Sequence, residues 1–361
     1  MAFDLSRDAV QVLAKVQSIP ELPGFERDIE RVRRAMRVLA RREDSPALWA
    51  TAARLRELSG GVEPGGNSHE ALTARASETI REPEVLGAVA QALLRGTGDQ
   101  RNAGIGILHF AGSAGARSLI VAREREGDDP AVRGRFIAAL RSVGETGVAV
   151  VAEQLAQLAA QGPRSNPHEA EDLLRALPER LFPKLGPIIA EFLRHEAPAV
   201  RRSATALMAS ALGAHARDAL VSALNDTDDG VRIAALSGLR QSGLIDQLAV
   251  SRIDRILNTT TGASEELRAA AAGALSAATV DARVAAVDVL RRALRPVRMS
   301  FMAMIKDATG SPGESVLVLA TVGRVLIGLA GPLGRSDVEA RARVSRGEVK
   351  KELYALLGVA V

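Results

Sequence analysis

LNDTDDGVRIAALSGL, residues 224–239, decides the fold of this 361-residue chain. Asp228 and Asp229 stand where a helix is predicted to begin, and carboxylates there cap the first turn and suit the helix dipole. Val231 then begins an apolar stripe at helical spacing, while Ala234 and Ala235 allow another helix to approach closely. The stretch therefore predicts a short amphipathic helix in a tightly packed helical protein.

The same pattern of Val or Leu, then Arg, then Ala recurs along the chain. Aligned on the arginine, successive copies are 32, 68, 31 and 36 residues apart, and NPHEAEDLLRAL (166–177) lies in the middle of the longest gap without the arginine. A second helical pattern follows each copy, with prolines at many predicted helix starts and Ser45 and Asp129 as candidate N-caps. A period in the thirties predicts stacked helix pairs. The aligned arginines are Arg101, Arg133, Arg201, Arg232 and Arg268.

LNDTDDGVRIAALSGL resembles the core of a HEAT repeat of the short bacterial type, also seen in phycobilisome-lyase-like proteins. The resemblance spans roughly residues 97–295 and rests on the pattern Asp-x-x-Val-Arg-x-x-Ala. It implies an all-α, HEAT-like α-solenoid, a right-handed superhelix of antiparallel helix pairs. It also implies that the aligned arginines brace neighbouring repeats by meeting acidic side chains.

Composition shifts divide the chain into three predicted parts. Residues 1–68 form an N-terminal helical region ending in the Gly-rich linker GGVEPGGNS, residues 69–295 form the repeats, and residues 296–361 form a degenerate repeat and a C-terminal cap. Outside the repeats, we expect helices at 4–17, 26–43, 46–59 and 336–358.

Two segments are predicted to depart from a plain solenoid. The apolar stretch 316–333 carries Arg324 at its centre and favours a buried or partner-facing helix over a membrane span. The helix at 26–44 has an apolar stripe among many arginines. We expect this helix or the one at 314–331 to present its apolar side to a partner or to a second copy.

The composition excludes several kinds of function. Aromatic residues make up only 2% of the chain, with one Trp and one Tyr, so the core must be aliphatic and rich in Ala. The absence of Cys excludes disulfides, thiolate metal sites and Cys nucleophiles. The pI near 9.9 accompanies a net charge of only +4, so it is weak evidence for a polyanionic partner. No signal peptide is visible, and a cytoplasmic protein is expected.

No pattern predicts an active site or a cofactor. Three of the five histidines precede Glu, as in HEAT-like deoxyhypusine hydroxylases, but their phases in the repeats disagree, so we expect solvated residues at helix ends. The glycines at 96, 98, 104 and 106 are interpreted as belonging to a turn and a helix start rather than to a phosphate-binding loop. The chain is therefore predicted not to be an enzyme, and a HEAT-like metal-dependent enzyme is the second alternative. The histidines are His69, His109, His168, His195 and His215.

The favoured function is a non-catalytic scaffold or adaptor that binds a protein partner, with its oligomeric state open. The first alternative is nucleic-acid binding through Arg-rich helices, but acidic neighbours dilute the cluster at 26–44. Trp49 and Tyr354 are more than 300 positions apart, so no basic and aromatic residues interleave. The candidate interaction residues are Arg33, Arg34, Arg37, Arg41 and Arg324.

Overall fold

The computed structural model describes residues 22–60, 64, 68–178, 185–258, 263–295 and 315–359. These residues are largely helical, and the β pairing among them is one isolated parallel bridge between Ile245 and Ala278. Consecutive helices joined by short turns pack against each other, which confirms the predicted fold class of an all-α, solenoid-like stack of helix pairs. The predicted helix at 4–17 and most of the Gly-rich linker lie outside the described residues.

The first of two compact units, here the N-terminal unit, comprises Met1–Ala160 and His168–Pro178. Within it, α4, α6 and α8 stack side by side, α2 packs beside α5, and α1 covers α3 and α4. The helices are α1 (Leu22–Arg41), α2 (Ser45–Ser59), α3 (His69–Ser77), α4 (Pro83–Arg95), α5 (Gly98–Ala111), α6 (Ser113–Glu124), α7 (Pro130–Ser142), α8 (Glu145–Ala160) and α9 (Pro167–Ala176).

The second unit, here the C-terminal unit, comprises Gln161–Pro167 and Glu179–Val361. Its helices are α10 (Gly186–Glu191), α11 (Pro198–Leu212), α12 (Arg217–Ala223), α13 (Asp229–Ser242), α14 (Gln247–Asn258), α15 (Glu265–Ala274), α16 (Arg283–Leu294), α17 (Val316–Ala330), α18 (Pro332–Val344) and α19 (Gly347–Leu356). One layer contains α11, α13, α15 and α17 in succession, and a second contains α12, α14 and α16. Both α18 and α19 pack on α17.

Short polar side chains set the helix starts. Asp129 accepts a hydrogen bond from the Ala131 N–H at 2.8 Å, which confirms its predicted role as N-cap of α7. Asp228 caps α13 through the Val231 N–H at 2.9 Å. The predicted cap at Ser45 is one residue late, because Asp44 accepts from the Ala47 N–H and Ser45 is already helical.

The core is aliphatic and rich in Ala, as the composition predicts. Leu, Ile, Val and Ala make up nearly all the buried apolar residues in the described part of the chain, beside Phe25, Phe136 and Phe192. Helices approach closely where side chains are small: a Cβ on Gly238 of α13 would lie 2.3 Å from the Cβ of Ala209 on α11. Such contacts leave room for methyl groups and little room for rings.

The expectation of an exposed apolar side on α1 or α17 is wrong. The apolar stripe of α17, including Val322 and Leu326, is buried against α15, α16, α18 and α19. The stripe of α1, including Val32 and Met36, is buried against α2, α3 and α4. No helix among the described residues combines the length and apolar character that crossing a membrane requires.

Two predicted helices differ in extent from those observed. The predicted C-terminal helix at 336–358 is two helices, α18 and α19, separated at Ser345 and Arg346, and Gly347 adopts a left-handed φ of 55° where the chain turns. The helix predicted at 26–43 starts earlier and ends at Arg41. Glu43 follows with a φ of 57°, and Asp44 then caps α2.

A buried carboxylate joins three helices of the N-terminal unit. Asp172 of α9, which is 1% exposed, accepts from the Nε of Arg133 on α7 at 2.8 Å and from the Nε of Arg123 on α6 at 3.1 Å. Arg133 also donates to Glu171 at 2.8 Å. Partial burial lowers the pKa of Arg133, but the hydrogen bonds with Glu171 and Asp172 outweigh burial and raise it above the ordinary value. Helix α9, which lacks the aligned arginine, thus supplies the carboxylates that bind Arg133, the aligned arginine of the preceding copy of the pattern.

The aligned arginines of the C-terminal unit have different partners. Arg201 of α11 makes two hydrogen bonds of 2.8 Å to Asp226, in the loop before α13. Arg232 pairs with Asp229 of its own helix, and Asp229 accepts from the Ser264 N–H at the start of α15. Arg268 donates to the Leu257 carbonyl at 3.2 Å.

Arg101 differs from the other aligned arginines. It lies half-buried on α5 and makes no ion pair with any residue in the described part of the chain. The pattern of Val, Arg and Ala therefore fixes where each arginine lies on its helix, while the loops and neighbouring helices decide which group it meets.

Replacing Asp172 with Asn tests whether the buried carboxylate that Arg123 and Arg133 share, here called the buried brace, stabilises the N-terminal unit. The D172N substitution leaves two guanidinium groups without their shared carboxylate, and we expect the N-terminal unit to lose about 3 kcal/mol of unfolding free energy. Urea unfolding measures the loss. The matched control is E153Q, because Glu153 pairs with Arg117 at 2.9 Å on the surface and such pairs contribute little. Equal unfolding midpoints for D172N and E153Q would contradict the brace.

Three carboxyl groups of the C-terminal unit have pKa values below the ordinary range for aspartate. Burial pushes the pKa of Asp226 upward, but the hydrogen bonds from Arg201 and from the Asp228 N–H outweigh it and leave the pKa low. The pKa of Asp246 is lowered against burial by the Ala249 N–H and Arg217, and that of Asp229 by Ser264 and Arg232.

Because these folded-state pKa values lie below the unfolded ones, their stabilisation is present above the unfolded pKa and is lost as pH falls through the folded pKa. We expect the melting temperature to decline as pH falls from about 5 to about 3. Asp226→Asn should melt lower at neutral pH and lose less on acidification. Asp281→Asn, at an exposed aspartate, should follow the wild type, and an unchanged acid slope in Asp226→Asn would refute the assignment.

Candidate functional site

The predicted arginine surface on α1 is largely engaged inside the N-terminal unit. Arg37 makes two hydrogen bonds of 2.7 Å to Glu82, just before α4. This contact raises the pKa of Arg37 and lowers that of Glu82. Arg33 donates to Glu30 at 3.0 Å and to Thr79 at 3.1 Å, and Arg41 pairs with Glu84 at 2.8 Å. These three arginines fasten α1 to the chain around the start of α4.

The other two predicted residues are more exposed. The Arg34 side chain is 73% exposed and its nearest carboxylate contact is 3.9 Å from Glu30. Arg324 is exposed on α17 and has no ion pair with the described residues. It belongs to the C-terminal unit, whereas the other four belong to the N-terminal unit.

The histidines lie in separate places. No group of three or more His, Cys, Asp and Glu residues that could hold a metal ion occurs in the described part of the chain. His195 is buried at 3% exposure, so the expectation of a solvated residue is wrong for it. Its Nδ1 accepts from the Ala197 N–H at 3.0 Å, and its Nε2 lies 3.1 Å from the Ser165 carbonyl. The ring thus joins two backbone segments.

A solvent-open pocket lies between α2 and α5 of the N-terminal unit. Its volume is about 460 Å³, within the range of ligand-binding pockets. Residues spaced by three, four and seven positions on α2 share its wall, and Phe110 closes it from α5. The lining residues are Trp49, Ala52, Ala53, Arg56, Glu57, Gly60 and Phe110.

A glycine in α5 makes the space that Trp49 occupies. A Cβ on Gly106 would lie 3.1 Å from the Cε2 and Cζ2 atoms of the Trp49 ring, and one on Gly104 would lie 3.2 Å from the Leu93 Cβ. The interpretation as a turn and a helix start is confirmed for Gly96, which caps the end of α4, and for Gly98, which begins α5, but it is wrong for Gly104 and Gly106, which lie inside α5. They are positions of close approach between helices, and Trp49 lies half-buried over one of them.

Two arginines lie over the Phe110 ring. The Cζ atoms of Arg56 and Arg81 are 5.2 and 5.0 Å from the ring centroid, within cation–π range. Arg81 also donates to both Glu78 oxygens at 2.8 Å. Arg56 is exposed and has no carboxylate partner in the described part of the chain.

The pocket offers an apolar floor with hydrogen-bond donors at its rim. Glu57, the acidic group of the lining, pairs with Arg54 at 2.8 Å. The Trp49 indole N–H has no acceptor among the described residues. Because guanidinium and indole groups only donate hydrogen bonds, the uncommitted groups favour a ligand that carries an acceptor or an anion.

Sequence reasoning missed this pocket. Trp49 and Phe110 are 61 positions apart, so basic and aromatic residues meet here without interleaving in sequence. The available signal was the pair Gly104 and Gly106 in an otherwise helical apolar pattern, because a helix-interior glycine marks a close approach.

A second cleft lies between α16 and α18 of the C-terminal unit, with a volume of about 380 Å³. Arg291 donates to Asp337 at 2.8 Å across it, and Arg341 donates to the Ser345 hydroxyl at 2.9 Å. Arg291 thus links α16 to α18, and Arg341 bonds to the residue that follows its own helix, so the first pocket is the stronger candidate. The cleft is lined by Arg291, Leu294, Arg295, Asp337, Ala340, Arg341 and Val344.

Comparison with known proteins gives distant structural likenesses. No family model and no curated protein matches the chain. One similar structure is the crystal structure of an engineered protein, with 16% identity, a TM-score of 0.36 and coverage of 97% of this chain and 98% of that one. Another similar structure is described as the structural basis of tubulin recruitment and assembly by microtubule polymerases with tumor overexpressed gene (TOG) domain arrays. Its identity to this chain is 10% and its TM-score is 0.27, and the match covers 99% of this chain and 97% of that one. The function proposed below is therefore inferred from the chain's own residues.

Replacing Gly106 with Ala tests the contact with Trp49. The added methyl group must displace the indole by a few tenths of an ångström toward the open pocket, so we expect a shifted emission maximum from the single tryptophan. Helix propensity favours Ala by about 1 kcal/mol, so stability should not fall. Gly134→Ala is the control, because nothing lies within 4 Å of a Cβ on Gly134 of α7. Unchanged emission in Gly106→Ala would contradict the described contact.

Proposed function

We propose that this chain is a HEAT-type helical-repeat scaffold or adaptor of the cytoplasm that binds a protein partner without catalysing a reaction. The observation that carries the proposal is the open pocket on whose wall the chain's single Trp and Arg56, which has no carboxylate partner among the described residues, lie along one face of α2. Trp and Arg are enriched where protein interfaces concentrate their binding energy. A half-buried indole whose N–H has no acceptor among the described residues offers both apolar area and a hydrogen bond.

Nucleic-acid binding is less well supported than protein binding. Nucleic-acid binding needs arginines that can replace the counterions around the phosphates. Arg33, Arg37 and Arg41 instead form ion pairs with carboxylates of their own unit. A metal-dependent enzyme is also less well supported, because the described His-Glu pairs do not converge on one site. The pocket presents apolar area beside one arginine, and such a surface suits a folded or peptidic partner.

Affinity capture from the native cell tests the proposal. We expect the tagged full chain to retain a specific protein after nuclease treatment and to retain it at raised salt. Since Lys occurs at only five positions, a carboxyl-reactive cross-linker suits the chain better than an amine-reactive one. Recovery of nucleic acid alone, or of protein that nuclease releases, would overturn the proposal.

A further inference from the structure

We propose that the pocket at Trp49 and Phe110 recognises an acidic peptide segment of the partner. One bulky apolar side chain of the segment lies against the two rings, and an adjacent Asp or Glu meets Arg56. This inference rests on the proposed function and names the chemistry of the partner at this site.

The shape of the pocket sets the apolar part of the ligand. Its volume of about 460 Å³ accommodates a Leu or Phe side chain together with part of the backbone that carries it. The wall consists of the Trp49 and Phe110 rings and the methyl groups of Ala52 and Ala53, so the buried portion of the ligand must be apolar. Because Gly106 has no side chain, the Trp49 indole lies close to α5 and does not extend further into the pocket.

The charges at the rim set the polar part of the ligand. Glu57 is committed to Arg54, and Arg81 to Glu78. Arg56 is the cation of the lining, and it has no carboxylate partner among the residues that the structure describes. Its position over Phe110 fixes its direction, which lowers the entropy lost when it binds a carboxylate.

A single-stranded nucleic acid would fit the same rings less well. It would stack a base on Trp49 and place its phosphates near Arg56, but a backbone carries a phosphate at every nucleotide. Glu57 and Glu78 flank the two arginines and oppose such a row of negative charges. A peptide requires only one carboxylate at the rim and can turn its other acidic side chains to solvent.

The single Trp makes the pocket observable in the unmodified full chain. We would titrate the protein with a peptide that lacks Trp and carries one Phe between Asp and Glu residues, and follow Trp49 emission. Comparison probes are the same peptide with Lys for each acid, and a single-stranded oligothymidylate. We expect saturable emission changes with the acidic peptide and at least tenfold weaker binding of the Lys peptide.

Variants separate the pocket from general charge effects. Arg56→Gln should weaken binding of the acidic peptide roughly tenfold. Arg125→Gln makes the same charge change at an exposed arginine that follows α6 in the same unit, and it should bind like the wild type. Gly106→Ala, which narrows the pocket while keeping every charge, should also weaken binding, and circular dichroism confirms that each variant is folded.

Equal binding of the acidic and Lys peptides would overturn the inference. Equal weakening by Arg125→Gln and Arg56→Gln, or tighter binding of the oligothymidylate, would overturn it as well. The proposed function is tested separately by capture with the unmodified chain. If the captured protein binds Arg56→Gln and Gly106→Ala as tightly as wild type, the scaffold function stands and the pocket assignment fails. If capture yields no protein, the scaffold function fails whatever the peptides do.

Discussion

Close approach between neighbouring helices is the constraint on which the rest of this structure depends. Gly238 meets Ala209 with no space for another carbon atom, and Gly104 lies tightly against Leu93. Helices at such distances gain many dispersion contacts, but they exclude ring side chains from most positions of the core. The scarcity of aromatic residues therefore follows from the packing, and a large ring such as Trp49 is accommodated where a glycine and an open pocket make space for it.

The same packing places charged groups next to one another. A long arginine side chain near a helix start reaches the loop or helix beside it, and partial burial there requires a partner. Arg133 with Asp172 and Arg201 with Asp226 satisfy that requirement, and on α1 Arg37 with Glu82 does the same. The high pI consequently overstates the positive charge available to another molecule, because many of the arginines are bound by carboxylates of the same unit.

Most of the fold could be predicted from the sequence, because helix spacing, proline positions and the recurring Val, Arg and Ala are local signals. The break between α18 and α19 was missed because apolar residues continue across it and only Gly347 marks the turn. The burial of His195 was missed because its partners, the Ser165 carbonyl and the Ala197 N–H, are backbone groups that carry no sequence signature. The pocket was missed for a related reason, since Trp49 and Phe110 meet only when α2 packs on α5.

The surroundings of Trp49 indicate whether the pocket serves ligand binding or only the packing of α2 on α5. A glycine inside a helix is destabilising by about 0.5–1 kcal/mol relative to Ala, and Gly106 occupies such a position. If Trp49 served only the core, full burial of the side chain would stabilise the fold most, yet Trp49 is only half-buried and its N–H lacks an acceptor in the described part of the chain. A half-buried Trp beside Arg56, which has no carboxylate partner among the described residues, contributes less to stability than a fully buried one and is well suited to binding.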